Sequence, residues 1–110
     1  MAAADLGGFF GALHAAAPAD APANPFRGVP LASRAASLTE NLARLEGQVG
    51  RAAVLAVWEA ALAVPLWSGA PVWLHGDPHP ANILIQDGRV SGVIDFGDIT
   101  AGDPASDLSV

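Results

Sequence analysis

Near the end of the chain, one amide and two carboxylates have the types and spacing to hold a cation beside a reactive group. Asp77 follows His75-Gly76, four residues separate it from Asn82, and Asp95-Phe96-Gly97 comes later. Between Asn82 and Asp95 lies Asp87-Gly88, at the centre of the apolar stretch 83–94. Such a dipeptide predicts a two-residue hairpin turn, because both central residues of that turn need positive φ. With Asp87 and Gly88 as the turn, Gln86 faces Arg89, Ile85 faces Val90, Leu84 faces Ser91, Ile83 faces Gly92 and Asn82 faces Val93. That register puts Asn82 and Asp95 on one side as diagonal neighbours, about 7 Å apart at the backbone. An amide oxygen and a carboxylate suit Mg²⁺, which keeps several waters and draws its other ligands from substrate phosphates. Ile83, Ile85, Val90 and Ile94 form the opposite, apolar face, which is expected to pack on helices.

Helices must supply most of the scaffold. Leu6, Phe9, Phe10 and Leu13 recur at helical spacing and predict a helix over residues 3–16, weakened by Gly7, Gly8 and Gly11. Pro18, Pro22, Pro25 and Pro30 then exclude regular structure from residues 17–33, which are expected to form an extended, mobile surface loop. Ser37 and Glu40 have the spacing of a capping box, and Leu38, Leu42, Leu45 and Val49 supply the stripe of a second helix ended by Gly47 or Gly50. Val54, Leu55, Trp58, Ala61 and Leu62 mark a third helix over 51–64, stopped by Pro65. Val72, Trp73 and Leu74 read as a short buried strand. The fold class is α+β and mainly helical, with 1–71 as a helical scaffold and 72–110 carrying the reactive loop, hairpin and metal-binding loop. His14 reads as a helix-face residue, and the three tryptophans as core or rim.

Composition narrows the function classes. With 52% hydrophobic and 15% charged residues, the 110-residue chain is built to pack a core rather than stay disordered. Its net charge of -6 and five scattered arginines argue against nucleic acid or an anionic membrane as partner. The absence of cysteine excludes disulfides and thiolate zinc sites and makes a cytoplasmic location the expectation. Pro65 and Pro71 interrupt the best candidate for a membrane span.

The gap between Asp77 and Asn82 and the Asp95-Phe96-Gly97 tripeptide match the spacing of kinase catalytic and metal-binding loops. Gly76 stands where protein kinases carry arginine, and only nine residues separate Gly97 from Asp107, too few for a long activation segment. The stretches His75-Gly-Asp-Pro-His-Pro-Ala-Asn82, Val93-Ile-Asp-Phe-Gly-Asp98 and Gly102-Asp-Pro-Ala-Ser-Asp107-Leu resemble the aminoglycoside phosphotransferase family, over about residues 72–110. The resemblance implies the C-terminal lobe of a protein-kinase-like fold, with the N-terminal lobe absent. It also implies ATP-dependent transfer of the γ-phosphate to a hydroxyl of a small, aminoglycoside-like molecule. Asp77 would be the catalytic base and Asn82 and Asp95 the Mg²⁺ ligands; His75 and Asp107 would support the loop, and His79 and Asp98 would be loop or substrate residues. Asp98 and Asp103 also suit turn or helix-cap positions.

A kinase-like site further needs a glycine-rich phosphate loop and a lysine, and the sequence contains no lysine. The chain is therefore expected to be an inactive fragment of such an enzyme, its missing lobe supplied by an adjacent polypeptide. The alternative is a remnant that only binds Mg²⁺ or a partner. A zinc hydrolase built on His75, Asp77 and His79 is a third class, disfavoured because Gly76, Pro78 and Pro80 prevent the helix that would align the two histidines.

Overall fold

The computed structural model describes residues 1–108, in which three α-helices and four short strands follow one another. The chain divides into two units, one of Met1–Val29 with Gly69–Val110, the other of Pro30–Ser68.

In the first unit, α1 (Ala2–Leu13) buries Phe10, whose ring meets Phe9 edge-on at 5.4 Å. The helix stops at His14, and the next residues run beside β1 (Val72–Leu74): Trp73 N–H donates to Ala15 O (3.0 Å) and Ala17 N–H to Pro71 O (2.9 Å). On its other side β1 pairs antiparallel with β4 (Thr100–Gly102), setting Trp73 opposite Ala101 and Leu74 opposite Thr100. Partners on both sides make β1 central, and Leu74 is fully buried. The expected strand 72–74 is present; its partner β4 is an addition.

The expected hairpin is also present, as β2 (Ile83–Gln86) and β3 (Arg89–Val93). Asp87 (φ 51°) and Gly88 (φ 74°) are both left-handed, as a two-residue turn of this kind requires. The register differs from expectation beyond the first two pairs. Gln86 faces Arg89 and Ile85 faces Val90, but Leu84 then faces Gly92 and Ile83 faces Val93. Ser91 is the extra residue of a β-bulge, its hydroxyl donating to Leu84 O at 3.2 Å. The slip undoes the expected apolar face: Ile83, Val90 and Val93 are half-buried, whereas Ile85 and Ile94 are exposed. Arg89 grips Asp5 of α1 with two bonds, Nε to Oδ2 at 2.7 Å and Nη2 to Oδ1 at 2.6 Å.

In the second unit, a 3-10 turn (Leu31–Arg34) leads directly into α2 (Ala35–Arg44), and α3 (Arg51–Leu62) follows. The capping box does not form. Ser37 lies inside α2, since the preceding turn already presents helical geometry, and Arg44 ends the helix short of Gly47. The third helix lies within its expected span. The fold class is α+β with a β-hairpin, as expected. Among the described residues no helix is long and apolar enough to cross a membrane.

Truncating Leu74 to Ala is expected to cost about 2–5 kcal/mol of unfolding free energy, read by urea denaturation. The Arg89 hydrogen bonds hold the Asp5 carboxyl below the ordinary aspartate range, outweighing the opposing effect of burial. A depressed carboxylate stabilises above its unfolded pKa and loses that contribution as pH falls through the folded value. The stability difference between wild type and Asp5→Asn should accordingly be constant above about pH 5 and shrink below about pH 4. Urea midpoints measured across that range check this.

Candidate active site

The loop that follows β1 hangs from one buried carboxylate. Pro104–Asp107 form a 3-10 turn that Asp103 caps, its Oδ1 accepting Ala105 N–H at 2.8 Å. The turn delivers Asp107, fully buried, beneath residues 75 and 76. Asp107 Oδ2 accepts His75 N–H (2.8 Å) and Oδ1 accepts Gly76 N–H (2.9 Å). His14 Nε2 reaches Oδ2 at 3.1 Å, so His14 is not a plain helix-face residue but ties the end of α1 to the loop.

His75 is equally enclosed, with 0% exposure, and both its ring nitrogens face backbone. Nδ1 accepts Asp77 N–H at 3.2 Å, and Nε2 lies 2.8 Å from Ile94 O. A carbonyl can only accept, so these partners assign the proton to Nε2. The ring also packs on Phe96 at 4.6 Å. No nitrogen of His75 remains for a metal, which removes the physical basis of the zinc-hydrolase reading. His79 is exposed and caps the 3-10 turn Pro80–Asn82, its Nδ1 accepting Ala81 N–H.

Asn82 closes the loop from the other end. Its Nδ2 donates to Asp77 O (2.9 Å), and its carbonyl accepts Ile94 N–H (2.9 Å), so the opening of the hairpin is stitched directly before Asp95. The bulge breaks the alternation that set Asn82 and Asp95 on one face. Asp95 instead leaves the strand in a left-handed conformation, φ 60°, with Oδ1 accepting Gly97 N–H at 3.3 Å. Asn82 Oδ1 and Asp95 Oδ2 have no protein partner among the described residues. An amide oxygen and a carboxylate oxygen are donors of the type that a hard cation takes alongside water and phosphate. Among the described residues no group of three or more His, Asp or Glu side chains could hold a metal.

Residues 1–110 match the profile of the APH phosphotransferase enzyme family throughout. The chain belongs to this family. The uncharacterized protein YcbJ of Bacillus subtilis (strain 168) is 48% identical over 43 residues, which are 38% of this chain and 14% of that protein. The apoenzyme structure of macrolide 2'-phosphotransferase MphH from Brachybacterium faecium shares 32% identity at a TM-score of 0.44, covering 76% of this chain and 29% of that one. The chain thus spans less than a third of the length of either protein.

In this phosphotransferase-family chain, two contacts shape the site further. Gly76 adopts φ 88°, and a Cβ there would collide with the backbone carbonyl oxygen of Asp98. The loop that follows β1 and the loop after Asp95 therefore touch backbone to backbone. The proline-rich segment also reaches the site, which sequence reasoning missed. Asn24 Oδ1 accepts the N–H groups of Phe26 and Arg27 (2.9 and 3.0 Å), while Nδ2 donates to Asp98 Oδ1 (3.1 Å) and Asp98 O (3.3 Å). Arg27 Nη2 lies 3.3 Å from Asp77 Oδ1, and Thr100 Oγ1 donates to Pro22 O at 2.7 Å. An asparagine directly before proline was the available signal, since such a side chain closes turns on the following N–H groups.

Gly76→Ala is expected to lose about 3 kcal/mol of stability, combining left-handed strain with a backbone clash. Gly88→Ala shares the positive φ but has open space around it, so a loss of about 1 kcal/mol is expected. Paired denaturation curves separate the clash from the strain.

Proposed function

We propose that these residues form the catalytic part of an ATP-dependent phosphotransferase acting on a hydroxyl of a small molecule. One observation carries the reading. The Asp77 loop is fixed at both ends, by Asp107 under residues 75 and 76 and by Asn82 on the Asp77 carbonyl, while Asp77 Oδ2 takes no protein partner among the described residues. Membership of the phosphotransferase enzyme family supports the same chemistry.

In the proposed reaction, Asp77 Oδ2 accepts a hydrogen bond from the acceptor hydroxyl and aims its oxygen at the γ-phosphorus. As the new O–P bond forms and the bond to the β–γ bridging oxygen breaks, the hydroxyl proton passes to Asp77 and ADP departs. Asn82 Oδ1 and the Asp95 carboxylate would hold Mg²⁺, which neutralises phosphate charge when bound. Because the transition state is loose, placement of Asp77 matters more than its basicity. Asp107 and His75 keep that placement without touching the reacting atoms. ATP as donor fits a cytoplasmic protein.

The grip on the triphosphate lies outside these residues in this reading, because they contain no lysine and no glycine-rich phosphate loop. A further segment or a neighbouring polypeptide would supply it. At the protein's native length, Asp77→Asn is expected to lower γ-phosphate transfer to a panel of hydroxylated molecules by about 100-fold or more, with Mg·ATP affinity within about twofold. Radiolabel transfer and calorimetry read the two quantities. The 110-residue chain alone is expected to bind Mg²⁺ through Asp95 and to turn nothing over. Rapid Asp77-dependent turnover by that chain would refute an external grip, whereas Mg²⁺ binding without transfer at native length would favour a binding module.

A further inference from the structure

We infer that Arg27, on the proline-rich segment, is a positioning residue for Asp77, a role that rests on the phosphotransferase reading above. Arg27 stands between two carboxylates. Its Nη2 is 3.3 Å from Asp77 Oδ1 and its Nε is 3.7 Å from Asp98 Oδ2. Among the described residues Arg27 is the one side chain that engages the Asp77 carboxylate. It takes Oδ1 and leaves Oδ2 to the acceptor hydroxyl, so the pair sets the rotation of the carboxylate about its own axis.

The segment that carries Arg27 is built to hold it there. Asn24 locks the backbone N–H of Arg27 and simultaneously grips Asp98. Gly28, at φ 67°, lets the chain turn against β4: a Cβ at Gly102 would sit 2.7 Å from Gly28 O, and a Cβ at Gly28 would sit 3.0 Å from Ala101 O. Thr100, buried in β4, holds Pro22 O from below. Polar bonds thus fix the segment before Arg27 and close backbone contact at Gly28 fixes it after, and four prolines reduce the freedom it would otherwise lose on docking.

Stability alone does not explain the arrangement. The Arg27 and Asp77 side chains are 43% and 42% exposed, and ion pairs at such exposure contribute little to folding. Geometry is where the pair acts, because displacement of a reacting group by about 1 Å can cost about 100-fold in rate. An arginine that spans Asp77 and Asp98 also screens two like charges that would otherwise turn away from each other.

Two measurements test this. First, trypsin cleavage after Arg27 in the 110-residue chain is expected to accelerate about fivefold or more in Asp77→Asn/Asp98→Asn, with cleavage after Arg34, Arg44 and Arg51 unchanged. An unaltered rate at Arg27 would show that the pair does not hold the segment in solution and would overturn the inference. Second, at native length, Arg27→Ala is expected to lower kcat for transfer about tenfold with the nucleotide KM unchanged, and Arg27→Lys to recover part of the loss. In an Asp77→Asn background Arg27→Ala should add nothing, since it acts through that carboxylate. A full tenfold loss on top of Asp77→Asn, or no loss in the single variant, would overturn the positioning role while leaving the phosphotransferase reading intact. Absence of Asp77-dependent transfer in the wild type would overturn that reading, and the positioning role with it.

Discussion

The buried Asp107 carboxylate, and the three groups that donate to it or lie against it, is the contact on which the site depends. It replaces water for the N–H groups of His75 and Gly76, and it meets the His14 ring at the end of α1. Charge-assisted bonds of this kind are stronger than neutral ones, and the carboxylate cannot be removed without leaving buried donors unsatisfied. The proposed site residues are placed relative to it: Asp77 directly after the two bonded residues, and Asp95 through the His75 bond to Ile94. The brace is therefore worth more for orientation than for net stability, since a buried charge must recover its own desolvation before it contributes to folding.

Around this brace, loops are pressed together by glycines rather than by side-chain packing. Gly76 meets the Asp98 carbonyl, and Gly102 meets Gly28. Backbone contact of this kind leaves no room for adjustment. It explains how a unit with few fully buried apolar side chains can still present Asp77, Asn82 and Asp95 from defined backbone positions. Polar bonds and steric exclusion do here what a large core does elsewhere.

What could be read from the sequence was local. The turn at Asp87-Gly88, the strand 72–74 and the third helix follow from short-range chemistry, and the spacing from His75 to Asp107 pointed to the family that the whole chain matches. The bulge was not legible, because Ser91 leaves the ladder through its own hydroxyl bond to Leu84, and nothing in an alternating pattern announces that. Nor was β4, three small residues with no alternation. The capping box failed because the turn over Leu31–Arg34 started the helix before Ser37 could. Prolines made a mobile loop the expectation for residues 17–33, yet Leu31–Arg34 form a 3-10 turn, and exclusion of regular structure does not imply freedom. Asn24 and Arg27 bond to residues 74 and 50 positions away, and His14 bonds to one 93 positions away. Such pairings are decided by tertiary proximity, which no local window contains.

The separation between His14 and Asp107 also imposes an order on synthesis. A nascent polypeptide that has emerged from the ribosome as far as Asp98 already holds Asp77, Asn82 and Asp95, yet the carboxylate that orients the loop is still to come. Contacts this distant in sequence form late. Assembly of the site consequently waits until Asp107 has emerged, and a chain arrested before that residue would carry each proposed reactive group without the means to aim it.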